Sequence, residues 1–235
     1  MHKLSLAVAC ALSGVVSCGL ISSDITKTSF DLPPRNYSFD TASLNLPMGN
    51  TVEVPCGDGQ LVMDCCAPPP PLPAPNCAMT PIICAAGVCT AHVKITQSAT
   101  IDLGREVPAL RDVPSFGSVS ISRITYKVQT NTLNIDSPPM ELFLAPGGVT
   151  DPDDQTANPP PQRFGTIPSI PAGNTDPGMV ELAPGAPGIF ESFASDVSKP
   201  FNFIMRAFVD VPSGSPIPSG KIDLEVSGRL SVSPL

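Results

Sequence analysis

The sequence predicts an all-β protein, an antiparallel β-sandwich of immunoglobulin-like or jelly-roll topology with a disulfide-rich, proline-rich insertion. Three observations predict it. Several runs alternate apolar and polar residues with the two-residue period of a strand that has one face in the core. The 30 prolines and 18 glycines cut the 235-residue chain into short segments, and proline belongs in loops and strand edges. Almost no stretch carries the helical period, so eight to ten short strands are left to pair with each other. With 42% hydrophobic and 14% charged residues, the composition also differs from that of a charged disordered chain.

The chain opens with MHKLSLAVACALSGVVSC. Lys3 supplies a positive start, and Leu4 to Val16 is an apolar run shorter than the roughly 20 residues that span a bilayer. Residues 1–17 therefore read as a secretory signal peptide. The end of the run, Val15-Val16-Ser17-Cys18, resembles the lipobox of bacterial lipoproteins. It differs from the commonest form in having Val15 for leucine and Ser17 for glycine or alanine. The resemblance implies that Cys18 carries the lipid and becomes the mature N-terminus. Attachment then follows from acyl burial, at about 0.8 kcal/mol per methylene. Gly19 follows the cysteine, with no aspartate there to signal inner-membrane retention. The implied address is therefore the outer membrane of a bacterial cell envelope, with the membrane as a partner through the anchor.

Residues 18–34 read as the lipidated N-terminus and a tether ending at Pro33-Pro34, and residues 35–235 as the β-sandwich domain. Tyr37 and Phe39 alternate with polar neighbours and predict the first strand. Leu44 with Leu46, and Val52 with Val54, repeat the signal around the turn formers Pro47, Gly49 and Asn50.

The insertion at residues 55–90 holds Cys56, Cys65, Cys66, Cys77, Cys84 and Cys89 around PPPPLPAP. It is too poor in periodic apolar residues to build a core, and cross-links substitute for one in an oxidising compartment. Six cysteines predict three disulfides of open connectivity. Cys65 and Cys66 do not bond each other, because adjacent Cα atoms lie about 3.8 Å apart and a disulfide wants about 4.4 Å or more. A zinc site would need closely spaced cysteines with histidine partners, and a redox motif would need C-x-x-C. His92 is the only histidine beyond the signal peptide.

From Ala91 to Leu103 the odd positions are apolar except at Gln97, predicting a long strand with one wet face. A connection follows, with a helical turn at 109–112. Val119 and Ile121 share one parity and Ile124, Tyr126 and Val128 the other, so a β-bulge is predicted near Ser122 and Arg123. Leu133 with Ile135, then Met140, Leu142 and Leu144, continue the alternation. Residues 150–178 are too polar for core strands, apart from an edge piece at 164–167. Asp151, Asp153 and Asp154 in that loop are candidate calcium ligands, although the glycine and distal glutamate of an EF-hand loop are missing. Phe201 to Val211 alternate, with Ile204 and Phe208 on the second parity predicting a strand covered on both faces. Ile222, Leu224, Val226, Leu230 and Val232 alternate strictly with polar residues, and Gly228 sits on their parity as a point of close approach.

Functionally, the formal net charge of −8, one unit more acidic without Lys3, argues against nucleic acid, which recruits clustered cations. Neither a phosphate-cradling glycine loop nor a dinucleotide fingerprint is present, so no cofactor is expected. A Ser-His-Asp arrangement would have to use His92, which is predicted on a strand's wet face. The pairs Asp153 with Asp154 and Glu181 with Glu191 have no glycosidase context. The absence of tryptophan and presence of two tyrosines weaken a sugar-stacking site. These residues predict a lipid-anchored structural or binding module, not an enzyme, with an envelope protein or glycan as partner. The alternative is a secreted calcium- or carbohydrate-binding domain.

Overall fold

In the computed structural model, residues 28–44, 56, 82–110 and 116–234 are described. The long strands lie where the alternation is cleanest. They are β1 (Thr28–Asp40), β3 (Val88–Ile101), β4 (Phe116–Asn131), β5 (Met140–Pro146), β9 (Phe201–Pro212) and β10 (Lys221–Pro234). Shorter strands complete the set: β2 (Ile82–Ala85), β6 (Gln162–Ile167), β7 (Gly178–Met179) and β8 (Glu181–Leu182). All ladders among the described residues are antiparallel.

Two sheets result, one ordered β1-β10-β4-β7 and the other β2-β3-β9-β5-β6-β8. The pairs β1–β10, β3–β9, β4–β7 and β5–β6 nest inside one another along the chain. This is one long hairpin wound across two sheets, the jelly roll. Nesting of this kind decides between the two topologies left open by the sequence. Between the sheets lies one apolar core that includes Leu32, Tyr37 and Phe39 from β1, Leu142 and Leu144 from β5, and Leu224 and Leu230 from β10.

The bulge predicted near Ser122 is present. Arg123 pairs with Arg229 and Ile121 with Leu230, leaving Ser122 as the extra residue. A second extra residue lies at Pro33-Pro34, where Leu32 pairs with Gly228 and Arg35 with Val226. Prolines lack the N–H a ladder needs, so the slip falls there, and the inward parity passes from Leu32 to Tyr37 and Phe39.

Four expectations need correction, the last at Leu44 below. The tether assigned to residues 18–34 overlaps β1, in which Thr28, Phe30 and Leu32 pair with Val232, Leu230 and Gly228. Residues 132–139 form no strand: Asn131 turns the chain, accepting from the Leu133 N–H through Oδ1 at 3.2 Å and donating to the Pro171 and Asn174 carbonyls. Residues 164–167 are not at an edge, since β6 lies between β5 and β8 with Phe164 fully buried.

The sequence reading also missed a helix. Here α1 is the single turn Leu103–Glu106, and α2 is Ala186–Ala194. α2 packs against β4, β5 and β6, burying Ala186, Phe190, Phe193 and Ala194. Phe190 meets Phe201 edge-on at 5.8 Å between ring centroids, and Phe164 meets Phe203 likewise at 5.5 Å. Leu44 follows a 3-10 turn at Thr41–Ser43 and is not in a strand. Leu46, Val52 and Val54 lie outside the described residues, as do residues 1–17, predicted to be a signal peptide, and Cys18.

Candidate functional site on the outer face of the six-stranded sheet

β9 is covered on both faces, as Ile204 and Phe208 predict. Its inner face enters the core, while Ile204 packs outside with Phe143 and Ala145 of β5 and with Val149. Val149 to Asp153 of the 147–161 loop lie along this outer patch, and Asn202 donates through its amide to the Val149 carbonyl at 2.7 Å. A hydrophobic patch on the solvent side of a sheet has to be covered, and the acidic loop covers it.

Arg206 is the centre of the arrangement. Its guanidinium donates to Glu141 Oε2 from Nε at 3.0 Å and from Nη2 at 2.6 Å, and to Asp153 Oδ1 from Nη1 at 2.6 Å. It lies 4.7 Å from the centroid of the Phe143 ring and 5.2 Å from that of Phe208. A planar cation can be held by carboxylates in its plane and rings against its face, which an ammonium does less well. Lys94 of β3 extends the network, donating from Nζ to Asp151 Oδ1 at 2.8 Å and Asp153 Oδ2 at 2.7 Å.

The aspartates predicted as calcium ligands therefore already have cations. Hydrogen bonds from Lys94 are the leading cause that holds Asp151 and Asp153 below the usual carboxylate range, and the same bonds raise Lys94. Asp154 turns away, accepting from the Thr156 hydroxyl at 2.6 Å and from its N–H at 2.9 Å, which lowers its pKa. Among the described residues no group of three or more His, Cys, Asp or Glu is placed to hold a metal. Calcium at Asp151 and Asp153 would have to displace an ammonium, so the loop's acids act as a clasp.

His92 lies beside this network on the outer face, as the alternation of β3 predicts. Its ring stacks on Phe208 at 4.6 Å, and Nδ1 is hydrogen-bonded to Asp210 Oδ1 at 2.6 Å. A carboxylate and a ring hold it in place, and neither is a nucleophile that a histidine base would activate. Glu181 is exposed on β8 and Glu191 is exposed on α2.

The cysteine segment joins the same sheet at its edge. β2 and β3 form a hairpin through Ala86 and Gly87, both with positive φ, which is the backbone of a two-residue turn that follows the sheet twist. Cys84 and Cys89 face each other across it, yet Cys84 is bonded to Cys56, with Cα atoms 5.9 Å apart. Cys89 is also disulfide-bonded. Disulfide chemistry is thus present at Cys56, Cys84 and Cys89, while Cys65, Cys66 and Cys77 lie outside the described residues. Sequence reasoning missed Lys94 and Arg206 as partners of the acidic loop, because only strand register brings them to it.

No protein-family model matches the chain, and no curated protein matches it. Solved structures that resemble it include one from Desmodium yellow mottle tymovirus, at 14% identity over 72% of this chain and 94% of that one, with a TM-score of 0.27. Turnip yellow mosaic virus gives 13% identity over 72% and 87%, with a TM-score of 0.27. Israeli acute paralysis virus gives 11% over 100% and 86%, with a TM-score of 0.30. Among the described residues no helix is long and apolar enough to cross a membrane.

Proposed function

We propose that the protein is a lipid-anchored module of a bacterial cell envelope that acts by structure or binding and not by catalysis. The observation that carries this reading is the lipobox-like Val15-Val16-Ser17-Cys18, with strand β1 already present at Thr28, ten residues beyond Cys18. Ten residues reach at most about 35 Å when fully extended, so an acyl anchor would keep the jelly roll close to the bilayer surface. The disulfides at Cys56, Cys84 and Cys89 support export, since such bonds persist in oxidising compartments. The binding reading is favoured over catalysis because Arg206, Lys94 and His92 are each engaged in contacts that fix structure.

The test is replacement of Cys18 by serine. Wild-type protein should fractionate with membranes and give an intact mass of residues 18–235 plus acyl groups, with six thiols alkylated only after reduction. Cys18→Ser should move the protein to the soluble fraction. A variant that stays quantitatively on membranes, or an unacylated wild type, would count against the anchor.

A further inference from the structure

The outer face of the four-stranded sheet obeys a pairing rule and then breaks it. Glu225 of β10 stands opposite Lys127 of β4, the opposite-sign pair that stabilises a ladder. Four residues further along β10, Arg229 stands opposite Arg123. Like charges placed directly opposite each other are destabilising. Asp31 of β1 compensates one of them, accepting from Arg229 Nε at 3.0 Å. The side chain of Arg123 is exposed and has no hydrogen-bond or ion-pair partner among the described residues. A local rule that is broken here and only half compensated among the described residues points to a functional position.

The surroundings indicate what the pair would meet. The extra residue of the bulge is Ser122, and bulges re-aim side chains. Arg123 and Arg229 line a depression of about 430 Å³ together with Asp31, Ser122, Thr125 and Ser227. That volume is within the range of about 300–1,000 Å³ for small-molecule sites. Two guanidinium groups against one carboxylate leave the depression net positive, on a chain whose formal charge is −8. Guanidinium groups match the paired oxygens of carboxylates and phosphates. Thr125 and Ser227, with hydroxyl oxygens 3.1 Å apart, both donate and accept, as a polyhydroxylated ligand requires. With no aromatic side chain in the lining among the described residues, recognition proceeds through charge and hydrogen bonds without ring stacking.

We propose that this depression binds a small sugar bearing an oxyanion, either a carboxylate or a phosphate, through Arg123 and Arg229. The assignment rests on the binding-module reading but does not need the anchor. Detergent-solubilised full-length protein is titrated by calorimetry with glucuronate, glucose 6-phosphate, inorganic phosphate and glucose. At least one acidic sugar should bind saturably and more tightly than glucose or free phosphate, and the tighter of the two identifies the anion. Losing a charged hydrogen-bond donor should weaken it by about tenfold or more in Arg123→Gln. Asp31→Asn, which frees Arg229, should tighten it, and this gain is one that misfolding does not produce. Glucose binding equally well, free phosphate matching the sugar phosphate, or unchanged affinity in Arg123→Gln would each overturn the proposal. Membrane release of Cys18→Ser is scored separately, so loss of the anchor and loss of this site are distinguishable.

Discussion

Gly220 shows how one residue can decide a connection. It sits at φ +100° in the turn before β10, and a Cβ built there would fall 2.1 Å from the Thr132 carbonyl oxygen. The crowding is with backbone, and two hydrogen bonds hold that backbone in place: Thr132 N–H to the Lys221 carbonyl at 2.8 Å and Thr41 N–H to the Gly220 carbonyl at 3.1 Å. An L residue would therefore be strained in its own dihedral and would also push Thr132 away. Gly220→Ala should destabilise by about 2–3 kcal/mol, toward the upper end of the usual range for single substitutions. The midpoint of denaturant unfolding measures this, with Gly148→Ala as a comparison. Gly148 also has positive φ, but nothing lies within 4 Å of its added Cβ, so it should lose only the dihedral part.

At the scale of elements, the loop over 147–161 is held by charge, and its behaviour with pH follows from that. The folded pKa values of Asp151 and Asp153 are lowered, so their contribution is complete above the unfolded carboxylate value of about 3.9 and is lost as pH falls through the folded values. The pKa of Lys94 is raised, so its contribution is complete below about 10.4 and is lost as pH climbs through its folded value. The clasp should thus hold from about pH 4 to about pH 10. Both aspartates are more than half exposed, and solvent screening keeps such pairs below about 1 kcal/mol each. Backbone order parameters of 147–161 should stay level from about pH 5 to 9 and fall below about pH 4. Asp153→Asn, which weakens the contacts to both Lys94 and Arg206, should lower them at neutral pH with little change in the global melting temperature.

The same elements show what a sequence makes legible. β10 was readable because its apolar residues alternate without a break except at Gly228, and the bulge at Ser122 because parity changes there within one strand. α2 was not, since Pro187 and Gly188 hide a helix whose signal is the spacing of Ala186, Phe190 and Phe193 along one face. Proline in the first turn is compatible with a helix, so Pro187 does not count against one. The acidic loop read as a cation site because its own cations, Lys94 and Arg206, are more than 50 residues away. The Arg123 and Arg229 pair is likewise set by register across 106 residues of chain, which no local pattern encodes.

For the whole molecule, the jelly roll closes by pairing its first long strand with its last. β10 lies between β1 and β4, and one ion pair across the first ladder, Asp31 with Arg229, joins residues 198 apart in sequence. Among the described residues, neither neighbour has a main-chain partner along most of its length without β10, because β4 otherwise pairs only with the two-residue β7. The apolar loss is also large: Ile222, Leu224, Val226, Leu230 and Val232 are all buried. At about 1.5–3 kcal/mol for each such side chain, their removal costs on the order of 10 kcal/mol. That matches the whole net stability of a typical domain, about 5–15 kcal/mol. A chain ending at Gly220 should therefore show no cooperative thermal transition, whereas the full chain should melt in one. The intact Cys56–Cys84 bond does not change this expectation, because it restrains the edge of the other sheet. A truncated chain that still melts cooperatively would mean that the six-stranded sheet, with α2 and the 147–161 loop on its faces, is a folding unit in its own right.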